Sequence, residues 1–563
     1  MKRSKKIRVF FASVSLILSL TASIFTPASS AGLPDEQWFP ASSTGSNQVG
    51  FNFSESSSLQ NMTTNLSPNY PFLNSSDGKS KYPNTCTSVL DKSCAEATSF
   101  IYHVVLPPCD TSRVIDCIES IWSESQGKKT MGIYSKSIPA VPTTPYTALG
   151  AENLITGSTP SIWQIPGITH LGGSDLYSVN TLIAQGSENA NKPVVFGSGG
   201  ELSIGIFPIN LVSGNYPSRV AGIPWSTNTD ETRICSAFGD NICASKQGFS
   251  NDVTIGISIR LTQPPIGWLH GRVKAPDALI EKIIGGVKIS ISGQPVQVPS
   301  VAGNFSLSEY PQAVQDSHKS DNGKIIMMSK GGQLFSEGNN NVLYQPSLGG
   351  TTSALRLLLP MVKDKSVAEP KIWKISTLAY FEDYKVSTCV KASGKLAGIV
   401  STNSTTYAVG PPTFDRETES LNYELASAHS TSRGQDFLGT YNLLLDASVA
   451  RCIYGFSSTP TSATVTIVNN GVEQVVSTTL LKENNGWLSL AAYGFTFSSP
   501  TIRVKLIQEK PKEMEQAQPQ TKIEVAAPAR VKKQVKTITC FKGKKTQKLS
   551  GTNPKCPVGY KKA

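Results

Sequence analysis

Val253-Thr254-Ile255-Gly256-Ile257-Ser258-Ile259-Arg260-Leu261 sets an apolar side chain at every odd position and a small or polar one at every even position. A period of two is the signature of a strand: successive side chains point to opposite faces, so this segment offers one apolar face to a core and a small or polar face to solvent. The isoleucines also favour pleated backbone. The pattern recurs at Leu202-Ser203-Ile204-Gly205-Ile206, Gly286-Val287-Lys288-Ile289-Ser290-Ile291, Pro295-Val296-Gln297-Val298, Ala463-Thr464-Val465-Thr466-Ile467 and Ile502-Arg503-Val504-Lys505-Leu506. Asn469-Asn470-Gly471 and Asn484-Asn485-Gly486 mark turns between strands, and Ser317–Lys324 and Gly338–Asn341 read as loops. Many short strands with turn signals between them predict a mainly β chain of β-sandwich-like units.

Helical signals are few. Val114, Ile115, Ile118 and Ile121 have helical spacing and predict a short helix over Val114–Ser123. Leu355–Val362 is an almost continuous apolar run. It fits a buried strand or a short helix, which Thr351-Thr352-Ser353 would cap.

Composition shifts divide the chain. Residues 1–31 carry five cationic side chains, an apolar stretch from Val9 and a small-residue end, Ala28-Ser29-Ser30-Ala31. That layout predicts a cleavable export signal cut after Ala31. The apolar stretch is broken by Ser13, Ser15 and Ser19, short of the ~20 apolar residues that a membrane span needs. Residues 32–80 form a Ser/Asn-rich, extended or partly ordered lead-in, and 81–263 a β-rich domain with a short helix. Pro264-Pro265 opens a second β-rich unit, 264–375, and 376–508 forms a β-sandwich-like domain. Residues 509–530, dominated by Pro, Gln, Glu, Lys and Ala, cannot bury a core and read as a linker to a basic module, 531–563.

The net charge of +12 conceals an uneven distribution. Of 52 basic residues, five lie in 1–31 and eleven in 530–563, and neither segment contains an acid. The rest of the chain holds 36 bases against all 40 acids. The body is thus mildly acidic and the positive charge belongs to the ends, which argues against a nucleic-acid-binding face. In the module, Lys532, Lys533, Lys536, Lys542, Lys544, Lys545, Lys548, Lys555, Lys561 and Lys562 form a dense cationic patch. An anionic cell-wall polymer, or another envelope component bearing phosphate or carboxylate groups, is its natural counter-charge.

The ten cysteines read as disulfides in an exported chain. Cys86 and Cys94, Cys109 and Cys117, and Cys235 and Cys243 each enclose seven residues. A bridge closing such a loop contributes roughly 2–3 kcal/mol on the chain-entropy estimate. The first four could also pair crosswise. Cys389 and Cys452, both in strand-like contexts, could cross-link the 376–508 unit, and Cys540 with Cys556 would staple a module too small to build a core. No C-x-x-C occurs and the five histidines are scattered, so neither zinc nor any other cofactor is expected.

Thr537-Ile538-Thr539-Cys540-Phe541-Lys542-Gly543-Lys544-Lys545 and Asn553-Pro554-Lys555-Cys556-Pro557-Val558-Gly559-Tyr560-Lys561-Lys562 resemble a C-terminal cassette found on exported proteins of actinobacterial type. Val449-Ala450-Arg451-Cys452-Ile453-Tyr454-Gly455-Phe456-Ser457, with Phe495–Leu506, is similar to large secreted actinobacterial proteins of no assigned activity. The resemblance implies export and a surface or extracellular setting, and carries no catalytic residues with it.

Catalytic motifs are wanting. There is no G-x-S-x-G elbow, no H-E-x-x-H and no phosphate-binding glycine loop. His170 beside Gly172-Gly173-Ser174-Asp175 is the most suggestive local group, although a loop histidine next to a glycine turn is usually structural. His270 reads as a turn or packing residue, and Ser125-Gln126-Gly127-Lys128 is an S-x-x-K without companion motifs. Trp122, Trp163, Trp225, Trp268, Trp373 and Trp487 are spread through the chain, as expected of core residues rather than of a sugar-stacking platform. The expectation is an exported binding or structural protein retained at the envelope by its basic module. The alternatives are a secreted polysaccharide-active enzyme of glycoside hydrolase type, whose two carboxylates would sit about 5–10 Å apart, and a self-assembling surface component.

Overall fold

The computed structural model describes residues 34–508 and 536–563, except 39–47, 56–63, 71–82, 84, 126, 141–145, 147–153, 188–199, 217–233, 240, 321–333, 338–340, 345–350, 379–383, 459, 461, 470–471, 481–482, 498–500, 544 and 552. The expected signal and linker, the Asn469-Asn470-Gly471 turn and most of the two loops near 320 and 340 lie outside the described residues. The protein is mainly β, with few and short helices.

Thr254–Leu261 is a strand held antiparallel between Cys117–Ser125 and Gly286–Gln297. Ile255, Ile257, Ile259 and Leu261 are all buried, as the alternation requires. The small face is buried at its middle, at Gly256 and Ser258. Gly256 lies opposite Trp122, whose indole would come within 2.3 Å of a Cβ added there, and Ser258 shares a 2.7 Å hydrogen bond with Ser290. Glycine in this strand therefore makes room for a cross-strand tryptophan.

The expected helix over Val114–Ser123 is instead part of the strand Cys117–Ser125. A register shift explains the misleading spacing. Ser258 pairs with Ser120 and Ile259 with Ile118, leaving Glu119 as an extra residue. Such a bulge puts Ile118 and Ile121, three apart, on one buried face, where a regular strand would separate them.

The body is built in layers. Its central sheet runs Asn65–Asn69, Ser99–Val105, Leu176–Gly186, Glu201–Ser213, Lys371–Thr377, Gly267–Ile283, Leu396–Thr402, Leu438–Asp446 and Trp487–Thr496, each hydrogen-bonded to the next. All these pairs are antiparallel except Gly267–Ile283 with Leu396–Thr402. The long strand Gly267–Ile283 then passes into an outer layer. From Val273 to Ile283 it pairs with Gly286–Gln297, with a register shift between Lys274 and Asp277 that includes Ala275 at φ 49. Strands of the segments 81–263, 264–375 and 376–508 thus share one sheet.

One core fills the space between the central sheet and the layer of Cys117–Ser125, Thr254–Leu261 and Gly286–Gln297. Trp373 ties the two together, its indole N–H donating to the carbonyls of Ile255 (3.0 Å) and Gly293 (3.1 Å). A second core lies on the opposite face, against Thr406–Tyr407, Ser420–Ala426, Ser462–Asn469 and Thr501–Ile507. In Leu438–Asp446, Leu444 packs into the first core while Leu443 and Leu445 pack into the second. A strand buried on both faces carries an unbroken apolar run, as this one does.

The lead-in contributes strands as well. Gln48–Phe53 pairs with Val301–Ser306, and Phe51 and Phe53 join a third core with Leu355 and Leu358. Leu355–Val362 resolves as a helix, Thr352–Leu358, followed by a 3₁₀ turn; Thr351 holds the N-cap position without a side-chain cap bond. Ser317–Ser320, expected in a loop, closes the helix Gln312–Ser320.

All ten cysteines are paired, each with its neighbour in sequence: Cys86–Cys94, Cys109–Cys117, Cys235–Cys243, Cys389–Cys452 and Cys540–Cys556. Cys389 and Cys452 are not on strands. They link the helices Tyr384–Ser393 and Ala447–Tyr454. The second helix is delimited locally. The Asp446 carboxylate caps it by accepting from the backbone N–H of Ser448 and Val449, and Gly455 ends it at φ 72. The described residues up to Gln508 form one compact unit and those from Lys536 a second.

Candidate anionic-polymer interface

The C-terminal unit is a three-stranded antiparallel sheet. Lys536–Lys542 is its central strand, flanked by Lys545–Gly551 on one side and Lys561–Lys562 on the other. Lys542 pairs with Lys545 across a two-residue turn, where Gly543 sits at φ 59. Glycine is well suited to a turn of positive φ that matches the twist of the strands. The Cys540–Cys556 bridge holds the Asn553–Tyr560 segment against the central strand, and Cys540 is fully buried.

Of the expected cationic residues, Lys542, Lys545, Lys548, Lys555, Lys561 and Lys562 are exposed. Lys536 opens the central strand, while Lys532, Lys533 and Lys544 lie outside the described residues. The register divides the lysines between two faces. Cys540 is opposite Gln547 and Lys562, and Lys542 is opposite Lys545, so these share the face that carries the disulfide. The Lys542 ammonium approaches within 3.0 Å of where a Cβ on Gly559 would stand, so it runs over the bridged segment. The other face carries Phe541 opposite Thr546 and Lys561, and Thr539 opposite Lys548. Phe541 is 41% exposed there.

The body presents three polar features. A cleft of about 240 Å³ is lined in part by Tyr102, Asp116, Gln185, Leu202, Thr262 and Pro265. Tyr102 donates to the Gln185 side-chain oxygen (2.7 Å). Asp116 is the one carboxylate among the described lining residues, and both its oxygens are engaged by Thr262, at 2.8 Å from the backbone N–H and 2.7 Å from the hydroxyl.

The second feature is a buried charge cluster. Arg272 donates to Glu55 (2.9 Å) and to the carbonyls of Thr402, Ser404 and Thr405, and Lys374 reaches the other Glu55 oxygen at 3.2 Å. The Arg272 and Glu55 side chains are each 1% exposed. His270 is stacked on Tyr407 at 3.5 Å, with Nε2 3.3 Å from the Thr402 hydroxyl. Burial, reinforced by Arg272, holds its imidazole well below the ordinary value. Every charge is met by a neighbour, and the arrangement is a clamp that fixes the lead-in to the central sheet.

The third feature is a clasp at the start of the described chain. Asp35 and Glu36 accept from the backbone N–H of Glu369 (2.9 Å) and Lys371 (3.0 Å). Gln37 donates to the Lys246 carbonyl (2.6 Å) and to the Ser245 hydroxyl (3.1 Å). Lys246 itself is buried, and desolvation pulls its ammonium down to about 7 against the opposing pull of Glu36. Burial raises the Glu36 carboxyl, partly offset by the Lys371 N–H. No local motif in the sequence announces this clasp or the Glu55 clamp, because the partners are hundreds of residues apart.

His170, Ser174 and Asp175 are not assembled for catalysis. His170 Nδ1 accepts from the Gly172 N–H (3.0 Å), and Nε2 is 3.1 Å from the Ile209 carbonyl, so both ring nitrogens serve the backbone. Asp175 instead accepts from Gln164, at 3.0 and 3.2 Å. Ser125 and Lys128 pair across a hairpin turn. His270 lies inside the strand Gly267–Ile283 as a packing residue. Trp122, Trp163, Trp268, Trp373 and Trp487 are buried; Trp225 lies outside the described residues. Among the described residues, no cluster of His, Cys, Asp and Glu is arranged to hold a metal ion, and no helix is long and apolar enough to cross a membrane. No family model, curated protein or solved structure matches the chain.

Proposed function

We propose that the protein is an exported binding or structural component of a cell surface, retained there by its basic C-terminal module on an anionic polymer of the envelope. One observation carries this reading. The positive charge is gathered at the C-terminal end of a separate unit, in residues 530–563, which are closed by a disulfide and hold no acid, and the lysines described in full there are exposed. Exposed lysines on a small sheet attract a polyanion without the desolvation cost that burial would impose. Five disulfides agree with an oxidising compartment.

Fractionation of cells making the full-length chain and a variant lacking residues 531–563 tests the proposal. The full-length protein is expected in the envelope fraction and to be released by a 1 M salt wash, where the Debye length falls to about 3 Å. The shortened protein is expected in the medium. Equal envelope association of the two would refute retention by the module.

A further inference from the structure

Retention by charge alone would make the lysines of the module equivalent; the register of its sheet makes them unequal. The disulfide-bearing face is partly occupied by the bridged segment, with Lys542 lying along Gly559. On the other face, Phe541 sits in a row with Lys561 on one side and Thr546 on the other, and Lys548 projects from the next same-face row, opposite Thr539. Thr537 and Ser550, joined by a 2.7 Å hydroxyl contact, complete that face. Phe541, 41% exposed among hydroxyls and lysines, offers part of its ring to solvent on the face opposite the disulfide.

We infer that this open face is a binding site for a phosphodiester-linked glycan, in which a sugar ring stacks on Phe541 and the flanking phosphates pair with Lys548 and Lys561. Strand spacing and residue rise place the two lysine backbones roughly 12 Å apart on a diagonal beside the phenylalanine. That is a span suited to a polymer repeat rather than to one anion. The lysines supply charge complementarity, the threonines can bond sugar hydroxyls, and the aromatic face supplies apolar contact to a pyranose. The proposal rests on retention by the module and adds which face performs it.

Titration of the full chain with a linear poly(hexose phosphate), with dextran and inorganic polyphosphate as separate arms, tests the site. Phe541→Ala, which changes no charge, is expected to weaken binding to poly(hexose phosphate) at least fivefold and to leave polyphosphate binding unchanged. The Lys548→Ala/Lys561→Ala pair is expected to lose at least tenfold. The charge-matched pair Lys545→Ala/Lys562→Ala, on the disulfide face, is expected to lose threefold or less. Equal losses for the two lysine pairs, with Phe541→Ala like the unaltered protein, would overturn the open-face site while leaving charge retention standing. Unchanged binding after deletion of 531–563 would overturn both. Binding to phosphatidylglycerol vesicles but not to the glycan would also overturn the glycan site.

Discussion

Lys246 shows how one residue couples the start of the described chain to the body. Its ammonium is buried next to Glu36, and desolvation lowers it from an ordinary 10.5 to about 7. Between those values the unfolded chain binds a proton that the folded chain does not, so this group makes stability rise with pH, by up to about 1.4 kcal/mol per pH unit. Denaturant unfolding of the protein and of Lys246→Met at pH 7.5, 8.5 and 9.5 checks this. The unaltered protein is expected to gain on the variant across that window, and a constant difference would mean that Lys246 stays charged when folded. No cysteine is free, so no resident thiol starts disulfide exchange at the upper end. Such residues were not legible in the sequence. Lys246 follows a strand-like run and Glu55 lies in a Ser-rich one, while the Arg272 that buries Glu55 is 217 positions away. Only the fold determines which acid a buried base will meet.

At the scale of elements, the alternating strands were legible because burial of one face imposes a period of two. Misreadings arose where another constraint shared the same residues. The bulge at Glu119 gave Ile118 and Ile121 a helical interval inside a strand. Cys452 lies in Val449–Tyr454, whose β-branched and aromatic side chains suggest a strand, yet the Asp446 cap and Gly455 stop define a helix. That helix and Tyr384–Ser393 are joined by the disulfide of greatest sequence separation, 63 residues. Loop-closure entropy assigns it about 4 kcal/mol, against roughly 2–3 kcal/mol for a bridge across eight positions such as Cys235–Cys243. Denaturant unfolding of Cys389→Ala/Cys452→Ala is therefore expected to show a loss larger by about 1–2 kcal/mol than that of Cys235→Ala/Cys243→Ala. The reverse order would place the contribution of the short bridge in native packing rather than in chain entropy.

At the scale of the whole molecule, the layering decides how the body comes apart. The central sheet is buried on both faces around Leu438–Asp446, where Leu443, Leu444 and Leu445 on a single strand feed two different cores. Gly267–Ile283 belongs to the central sheet at one end and to the outer layer at the other. Removing either outer layer would uncover the apolar face of a sheet that the other layer still needs, so the layers have no independent route to unfolding. Pro264-Pro265 marks a break between the strands Thr254–Leu261 and Gly267–Ile283, but a sheet joining residues distant in sequence is invisible to composition. The C-terminal unit is compact by itself and is closed by its own disulfide. Calorimetry of the full chain and of a variant lacking 531–563 is expected to give the same body transition, within about 1 °C, and a calorimetric enthalpy equal to the van't Hoff value. Two resolved body transitions would show that the shared sheet does not bind the cores into one cooperative unit. A body transition lowered by the deletion would show that the module stabilises the body, which retention by a separable module does not require.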